Sequence, residues 1–378
     1  KISVAVMGKI NDSQFDINTK KKKSKLKRLL QVLKDPDRKS LFRIFVEVMC
    51  VSFAKRNFPP GFYMSRYLFK KFRTNIFDFY PYSYFDRLNR FFNDDEARPV
   101  LENKLFTHFF YSRFNVQMPV LLAFNHRTTF VVGNVVHEVA DKDDFRKILE
   151  LLLSGLAENE SVFIKKMWGS YGGEDIFRVD KNIFSDNSHF PDDLYNRVIR
   201  SDFIFQEQIK QHPVLDRLNP SCVNTVRIDT FIDKSGKAEV MSAYLRLGIK
   251  GSHVDNITAG GLAVPVDIET GRLNKFGYLG SSENWTILPE EHPDTHTKFE
   301  DITIPFFDEV KHLVCRMAAL VPELRLLGWD IAIGESGPVF IEGNTFYDMS
   351  GVDLNYGGYR KNPVFKKAIE EYKGIKTK

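Results

Sequence analysis

Apolar side chains recur at helical spacing in two stretches of the chain. Over residues 142–160 they are Phe145, Ile148, Leu149, Leu152 and Leu156, behind the capping candidates Asp143 and Asp144. Over 308–321 they are Val310, Leu313, Val314, Met317 and Val321. Recurrence at i, i+3, i+4 and i+7 puts such side chains on one face, so both stretches are expected to be core-facing helices. Elsewhere the apolar positions alternate or form short blocks, which marks strands. Strands are expected at 120–125, 162–165, 203–209, 225–232, 239–247, 262–267, 329–333 and 339–344. The mixture predicts an α+β chain whose chemistry-bearing residues lie mostly after residue 100.

Residues 41–115 hold sixteen of the 34 phenylalanines, interleaved with Arg and Lys as in FKKFR from Phe69 to Arg73. The favoured reading is a packed helical region with snorkelling basic side chains. An aromatic–basic surface for a polymer or membrane is the alternative. At 378 residues the chain should form two or three domains, and 43% hydrophobic with 27% charged excludes wholesale disorder. Three scattered cysteines, Cys50, Cys222 and Cys315, exclude a disulfide scaffold and a four-cysteine zinc site. No apolar run approaches the length of a membrane span, and no signal peptide is visible. A cytoplasmic protein is expected, with the inner membrane face as a second placement. The net charge of +5 is concentrated at residues 20–28, with seven basic side chains in nine. A solvated leader is favoured there over contact with an anionic membrane. Nucleic acid is set aside, since the run lacks interleaved aromatics.

The most informative feature is a C-terminal hairpin. WDIAI from Trp329 to Ile333 precedes Gly334-Glu335-Ser336-Gly337-Pro338, then VFIEGN from Val339 to Asn344. Side chains alternate faces along a strand, so Asp330 faces away from Trp329 and Ile331, while Glu342 shares a face with Asn344. If Ile333 pairs with Val339, counting outward sets Asp330 opposite Glu342. Two carboxylates that close repel, and a cation removes the conflict. Hard oxygen donors without His or Cys select magnesium or manganese. A solvated hairpin would not explain the apolar residues flanking each acid.

Three further constellations are weaker. FIKKMWGSYGGEDIFRV delivers Lys165 and Lys166 into a loop with Gly169, Ser170, Gly172 and Gly173, a backbone able to approach a phosphate. In 225–232, Thr225, Arg227 and Asp229 face away from Val226, Ile228 and Ile232. In 239–247, Arg246 faces away from Met241, Ala243, Leu245 and Leu247. The arginines read either as an anion clamp or, more blandly, as surface ion pairs with Asp229 or Asp233. Asn256, Gly260 and Gly261 suggest a tight turn with exposed amides. There is no GxSxG elbow, no GxxxxGK[ST] loop and no second His to complete HExxH after His137.

In this order the pieces resemble an ATP-grasp domain, and more narrowly the sugar-transfer-associated ATP-grasp family. The matching text is ENKLFTHFFYSRFNVQMP, FIKKMWGSYGG, FQEQIKQHPVLDRLNPSCVNTVRI, DNITAGGLAVPVD and GWDIAI…GPVFIEGN, spread over roughly residues 40–365. The resemblance implies two α+β subdomains gripping ATP, after a basic extension at 1–40 and a helical Phe-rich region at 41–118. The lid subdomain is expected at 119–200 and the catalytic subdomain at 201–378. Lys104 and Lys165 would hold ATP phosphates under the 170–173 loop. Gln206, Glu207, Gln208 and Ile209 would lie at the adenine edge, with His212 toward the ribose. Gln206 stands where many relatives have Glu. Asp330, Glu342 and Asn344 would bind magnesium, with manganese as the other candidate. Arg246 would stabilise the transferred phosphoryl group beside Arg227 and Asn224, and Asn256, Gly260 and Gly261 would form a substrate loop. The implied reaction joins a carboxylate to an amine through an acyl phosphate, on a small molecule or saccharide of cell-surface polysaccharide synthesis. A sugar kinase on the same fold and a non-catalytic anion- or membrane-binding protein are the alternatives.

Overall fold

The computed structural model describes residues 32–58, 63–169, 175–184, 191–252, 254, 255, 257, 260–279 and 288–376. Helices lead: α1 Leu41–Lys55, α2 Tyr82–Phe92, α3 Pro99–Glu102 and α4 Lys104–Ser112. Next come β1 Leu121–His126, β2 Thr129–Val132, β3 Val135–Glu138, α5 Lys142–Ser154, β4 Val162–Lys166, β5 Ile176–Val179, α6 Asp192–Val198 and β6 Asp202–Glu207. The remainder is α7 Pro213–Leu218, β7 Thr225–Ile232, β8 Ala238–Leu247, β9 Leu262–Val266, β10 Tyr278–Leu279, α8 Phe307–Ala319, β11 Leu326–Gly334, β12 Gly337–Asn344, α9 Met349–Tyr356 and α10 Pro363–Lys376.

The first sheet runs β3-β2-β1-β6-β4-β5 and is antiparallel throughout. Helix α5 covers one face. Its Phe145, Ile148, Leu149 and Leu152 meet Phe130, Val162 and Phe205. The cap is Asp141, two residues before the nearer of the expected candidates, Asp143. Its Oδ1 accepts from the backbone N–H groups of Asp143 and Asp144 at 3.0 Å each. The helix ends at Ser154, short of the expected 160. Strand β6 lies between β1 and β4, so the expected boundary after residue 200 cuts it from the sheet it completes. The change of sheet falls after Glu207.

The second sheet runs β10-β9-β8-β7-β11-β12, also antiparallel. Helix α8 packs on one face through Val310, Val314 and Met317. Helices α2 and α10 pack on the other through Phe85, Leu88 and Phe365. Every residue of β7 and β11 is therefore buried. This corrects the surface reading of Arg227 and Asp229: the polar face of β7 lies inside the molecule, where polar groups must pair. A bulge in β8 beside Asp229 also moves Met241 to the face opposite Ala243 and Leu245.

The β11–β12 hairpin sets the site. Ile333 pairs with Pro338, Ala332 with Val339 and Ile331 with Phe340. A bulge at Ile341 then shifts the register, and Asp330 lies opposite Glu342. Two one-residue departures from the expected pairing cancel, so the carboxylates meet as predicted.

Candidate active site

A cleft opens between the two sheets. Alternation on β4 and β6 points Phe163, Lys165, Ile204 and Gln206 into it, opposite the apolar face that holds α5. The second sheet contributes Thr225, Arg227, Arg246, Asp330, Glu342 and Asn344. Helix α4 joins the two. Asn103 caps it, accepting from Leu105 N at 3.0 Å and Phe106 N at 3.1 Å. Lys104, first in the helix, donates its backbone N–H to Met167 O at 3.0 Å beside β4. Its ammonium reaches Glu342 Oε1 on β12, also at 3.0 Å.

Charges alternate along the floor. Arg227 grips Asp330 bidentately through Nε and Nη2. Arg246 Nη2 lies 3.1 Å from Asp330 Oδ2 and 3.4 Å from Asp255 Oδ1. Its Nε donates to Thr225 Oγ1 at 3.0 Å, and Thr225 in turn bonds Asp255. Burial alone would raise the Asp330 carboxyl. Arg227 and Arg246 overcome this and hold it below its ordinary value. Asp255 goes the other way: its burial outweighs the help from Arg246 and raises its pKa. Lys165 has no carboxylate within ion-pair distance among the described residues. Burial, with Lys104 adding to it, lowers its pKa to about 8. Lys104, Arg227 and Arg246 are thus each matched by a carboxylate of the lining, and Lys165 is the cleft cation without an ion pair among the described residues. Burial pushes the nearby Cys222 thiol up to about 12, which removes it as a thiolate nucleophile.

Ten predicted residues meet in this cleft: Lys104, Lys165, Gln206, Glu207, Ile209, Arg227, Arg246, Asp330, Glu342 and Asn344. Asn224 does not. Its amide is consumed by Gln211 Oε1 at 2.9 Å and Asn219 O at 2.8 Å, and its Oδ1 accepts from Asn219. It braces the loop before β7 and is not part of the cleft lining. His212 caps α7, its Nδ1 accepting from Val214 N at 3.2 Å, and it stands clear of the cleft lining. Gln208 follows the strand out of the cleft, its N–H bonded to Ser161 O. Gly260 bonds back to Ile257 in a turn with φ of +101°, and neither it nor Gly261 borders the cleft. Ser170, Gly172, Gly173 and Asn256 lie outside the described residues.

Among the lining residues not expected from the sequence, Asp255, Trp168 and His108 bear most on the chemistry. Asp255 precedes Asn256 directly, so the loop was noticed and its acid was not. Trp168, 45% exposed at the cleft edge, stood in the quoted glycine loop segment. His108, one turn after Lys104 on α4, carries no sequence signal; its Nδ1 is buried without a partner and burial lowers its pKa. Among the described residues no three His, Cys, Asp or Glu side chains converge as a metal cage.

No curated protein matches the sequence. The solved structure of the ATP-grasp ligase PsnB with minimal precursor, magnesium and ADP is 15% identical, with a TM-score of 0.36, over 70% of this chain and 56% of that one. D-alanyl-alanine synthetase A from Vibrio cholerae is 13% identical, with a TM-score of 0.40, over 73% of this chain and 66% of its own. N5-carboxyaminoimidazole synthetase from Staphylococcus aureus is 9% identical, with a TM-score of 0.39, over 68% and 47%. This chain therefore spans less than two thirds of the length of each. The sequence profile described as sugar-transfer associated ATP-grasp matches residues 84–363, from within α2 to the first residue of α10. By that match over well over half its length, the chain belongs to the sugar-transfer-associated ATP-grasp family and has the ATP-grasp fold.

Proposed function

We propose that the chain is an ATP- and magnesium-dependent ligase that joins a carboxylate to an amine. The observation that carries this reading is the convergence in one cleft of Lys104, Lys165, Arg246 and the Asp330–Glu342–Asn344 group, drawn from five separate elements. The carboxylate donor is read as a sugar acid or polysaccharide precursor, on the family description alone.

The donors fit a hard divalent cation. A carboxylate has about four acceptor sites. Arg227 donates to both oxygens of Asp330, Arg246 pairs with Oδ2, and the Asn344 amide also reaches this carboxylate. Lys104 takes Oε1 of Glu342, and Asn344 spends its Nδ2 on Gly328 O, which leaves its oxygen as an acceptor. Magnesium uses one or two carboxylates together with substrate phosphates, which suits so sparse a set. When bound, the ion would neutralise charge on the phosphate oxygens.

The substrate carboxylate attacks the γ-phosphorus, the bond to the β-phosphate oxygen breaks, and an acyl phosphate and ADP form. The amine then attacks the acyl carbon, gives up one proton to solvent, and inorganic phosphate leaves with the displaced oxygen. Lys104 and Lys165 bind the phosphates as point charges. Arg246, held by Asp255, Thr225 and Asp330, is fixed before the phosphoryl group arrives, so no reorganisation is needed as charge develops. Ile204, Phe163 and Ile209 give the apolar walls that a base requires.

The test uses a sugar acid labelled with oxygen-18 in its carboxylate, a panel of amines, ATP and magnesium. A ligase releases ADP and phosphate only when both substrates are present, and one labelled oxygen appears in the phosphate. Phosphorylated sugar without phosphate release would show a kinase instead.

A further inference from the structure

Helix α1 is apolar on two opposite faces. One face packs inward, where Ile44, Val48 and Val51 meet Tyr63, Phe69 and Phe79. The other is bare. Phe42 is 79% exposed, Phe45 63%, Met49 47% and Phe53 90%. They recur at i, i+3, i+7 and i+11, a single stripe along a helix roughly 22 Å long. Exposed Leu41 and Val46 widen it. A helix apolar all round is ordinarily buried. The phenylalanine-rich stretch that sequence alone reads as packed is packed on one side only.

Charge identifies what covers the other side. Residues 20–73 carry seventeen Lys and Arg against three Asp and Glu, a net +14. The whole chain is +5, so the remainder is −9. Arg43, Arg56, Lys70, Lys71 and Arg73 are exposed within this segment. A bilayer with anionic headgroups meets both demands: hydrocarbon for the stripe and negative charge for the basic segment. A nucleic acid offers the charge without the hydrocarbon. A second copy would set another +14 segment against the first. No described helix is long and apolar enough to cross a membrane.

We propose that α1 is an interfacial helix, its Phe42–Phe45–Met49–Phe53 stripe seated at the boundary of headgroup and acyl chain in an anionic bilayer. The inference does not depend on the ligase reading.

The test is co-sedimentation of the whole chain with phosphatidylcholine vesicles, with and without phosphatidylglycerol, at about 0.15 M and about 1 M salt. Binding is expected to require phosphatidylglycerol and to weaken in high salt. The variant Phe42→Gln/Phe45→Gln/Phe53→Gln should bind at least about tenfold more weakly, since each phenylalanine loses its apolar contact. Equal partition onto both vesicle types would overturn the proposal. So would a triple variant that binds like wild type, which would leave the basic run as sole anchor. Dimers that the triple variant dissolves would assign the stripe to a second copy, also against the proposal. A Phe45→Trp variant guards against misfolding. Its added emission should shift to the blue on phosphatidylglycerol vesicles and be quenched by brominated acyl chains, and unchanged emission counts against insertion.

Discussion

Arg246 is the residue on which the proposed chemistry leans hardest. It is held by three partners before any substrate arrives, so its contribution should be to turnover and not to binding. Arg246→Ala should lower kcat by about 10²–10³ with KM little changed, by steady-state assay, and a loss below about threefold would contradict its role. Asp330 has a structural task as well. Replacing it with Asn leaves Arg227 buried without its counter-charge, which costs about 3–5 kcal/mol in a urea melt. The sign with pH follows from its lowered carboxyl. The stability it gives is present above the unfolded value of about 3.9 and is lost as pH falls through the folded one. Lys165 works in the opposite range. Its pKa of about 8 means that the phosphate-binding ammonium is lost above that pH. Nucleotide affinity, measured by calorimetry, should fall by up to about tenfold per pH unit above pH 8, and Lys165→Arg should abolish the dependence because guanidinium stays charged. At this scale the sequence showed which residues carry charge but not which are spent on neighbours. Asn224 and His212 look like site residues until their hydrogen bonds are seen.

Among elements, β12 carries the tightest constraint. Gly343 sits between Glu342 and Asn344, and a Cβ there would meet Leu101 of α3 at 2.9 Å. Gly343→Ala should therefore push α3 away and move both cleft residues. Overpacking of this kind costs about 1–3 kcal/mol, and activity should fall even where the variant stays folded by circular dichroism. Element type and position were legible where the pattern was strong: β7 was read end to end, because clean alternation leaves no choice of register face. The β11–β12 bulge was not legible, since no glycine or proline marks Ile341. The β2–β3 hairpin was legible and passed over, for Gly133-Asn134 between TFVV and VVHE is a known turn signal. What the pattern could not reveal was burial on both faces of the second sheet, because that depends on three helices from separate parts of the chain, α2, α8 and α10.

For the whole molecule, two sheets meet around a cleft lined by paired charges of both signs, and a basic, aromatic segment lies outside it. The fold class was readable because five weak motifs occur in one order, although none is decisive alone. The outer face of α1 was not, since phenylalanine in a sequence signals burial. The proposed ligase requires that the cleft take nucleotide and magnesium together. The direct measurement is thermal unfolding of wild type and Glu342→Gln, each with and without ATP and magnesium. A ligand at about 100 times its dissociation constant stabilises by about 2.7 kcal/mol, a shift of a few degrees for a chain of this size. Wild type should show that shift only when both ligands are present, and Glu342→Gln should lose it. No shift with any nucleotide, or an equal shift in the variant, would contradict the assignment of the cleft.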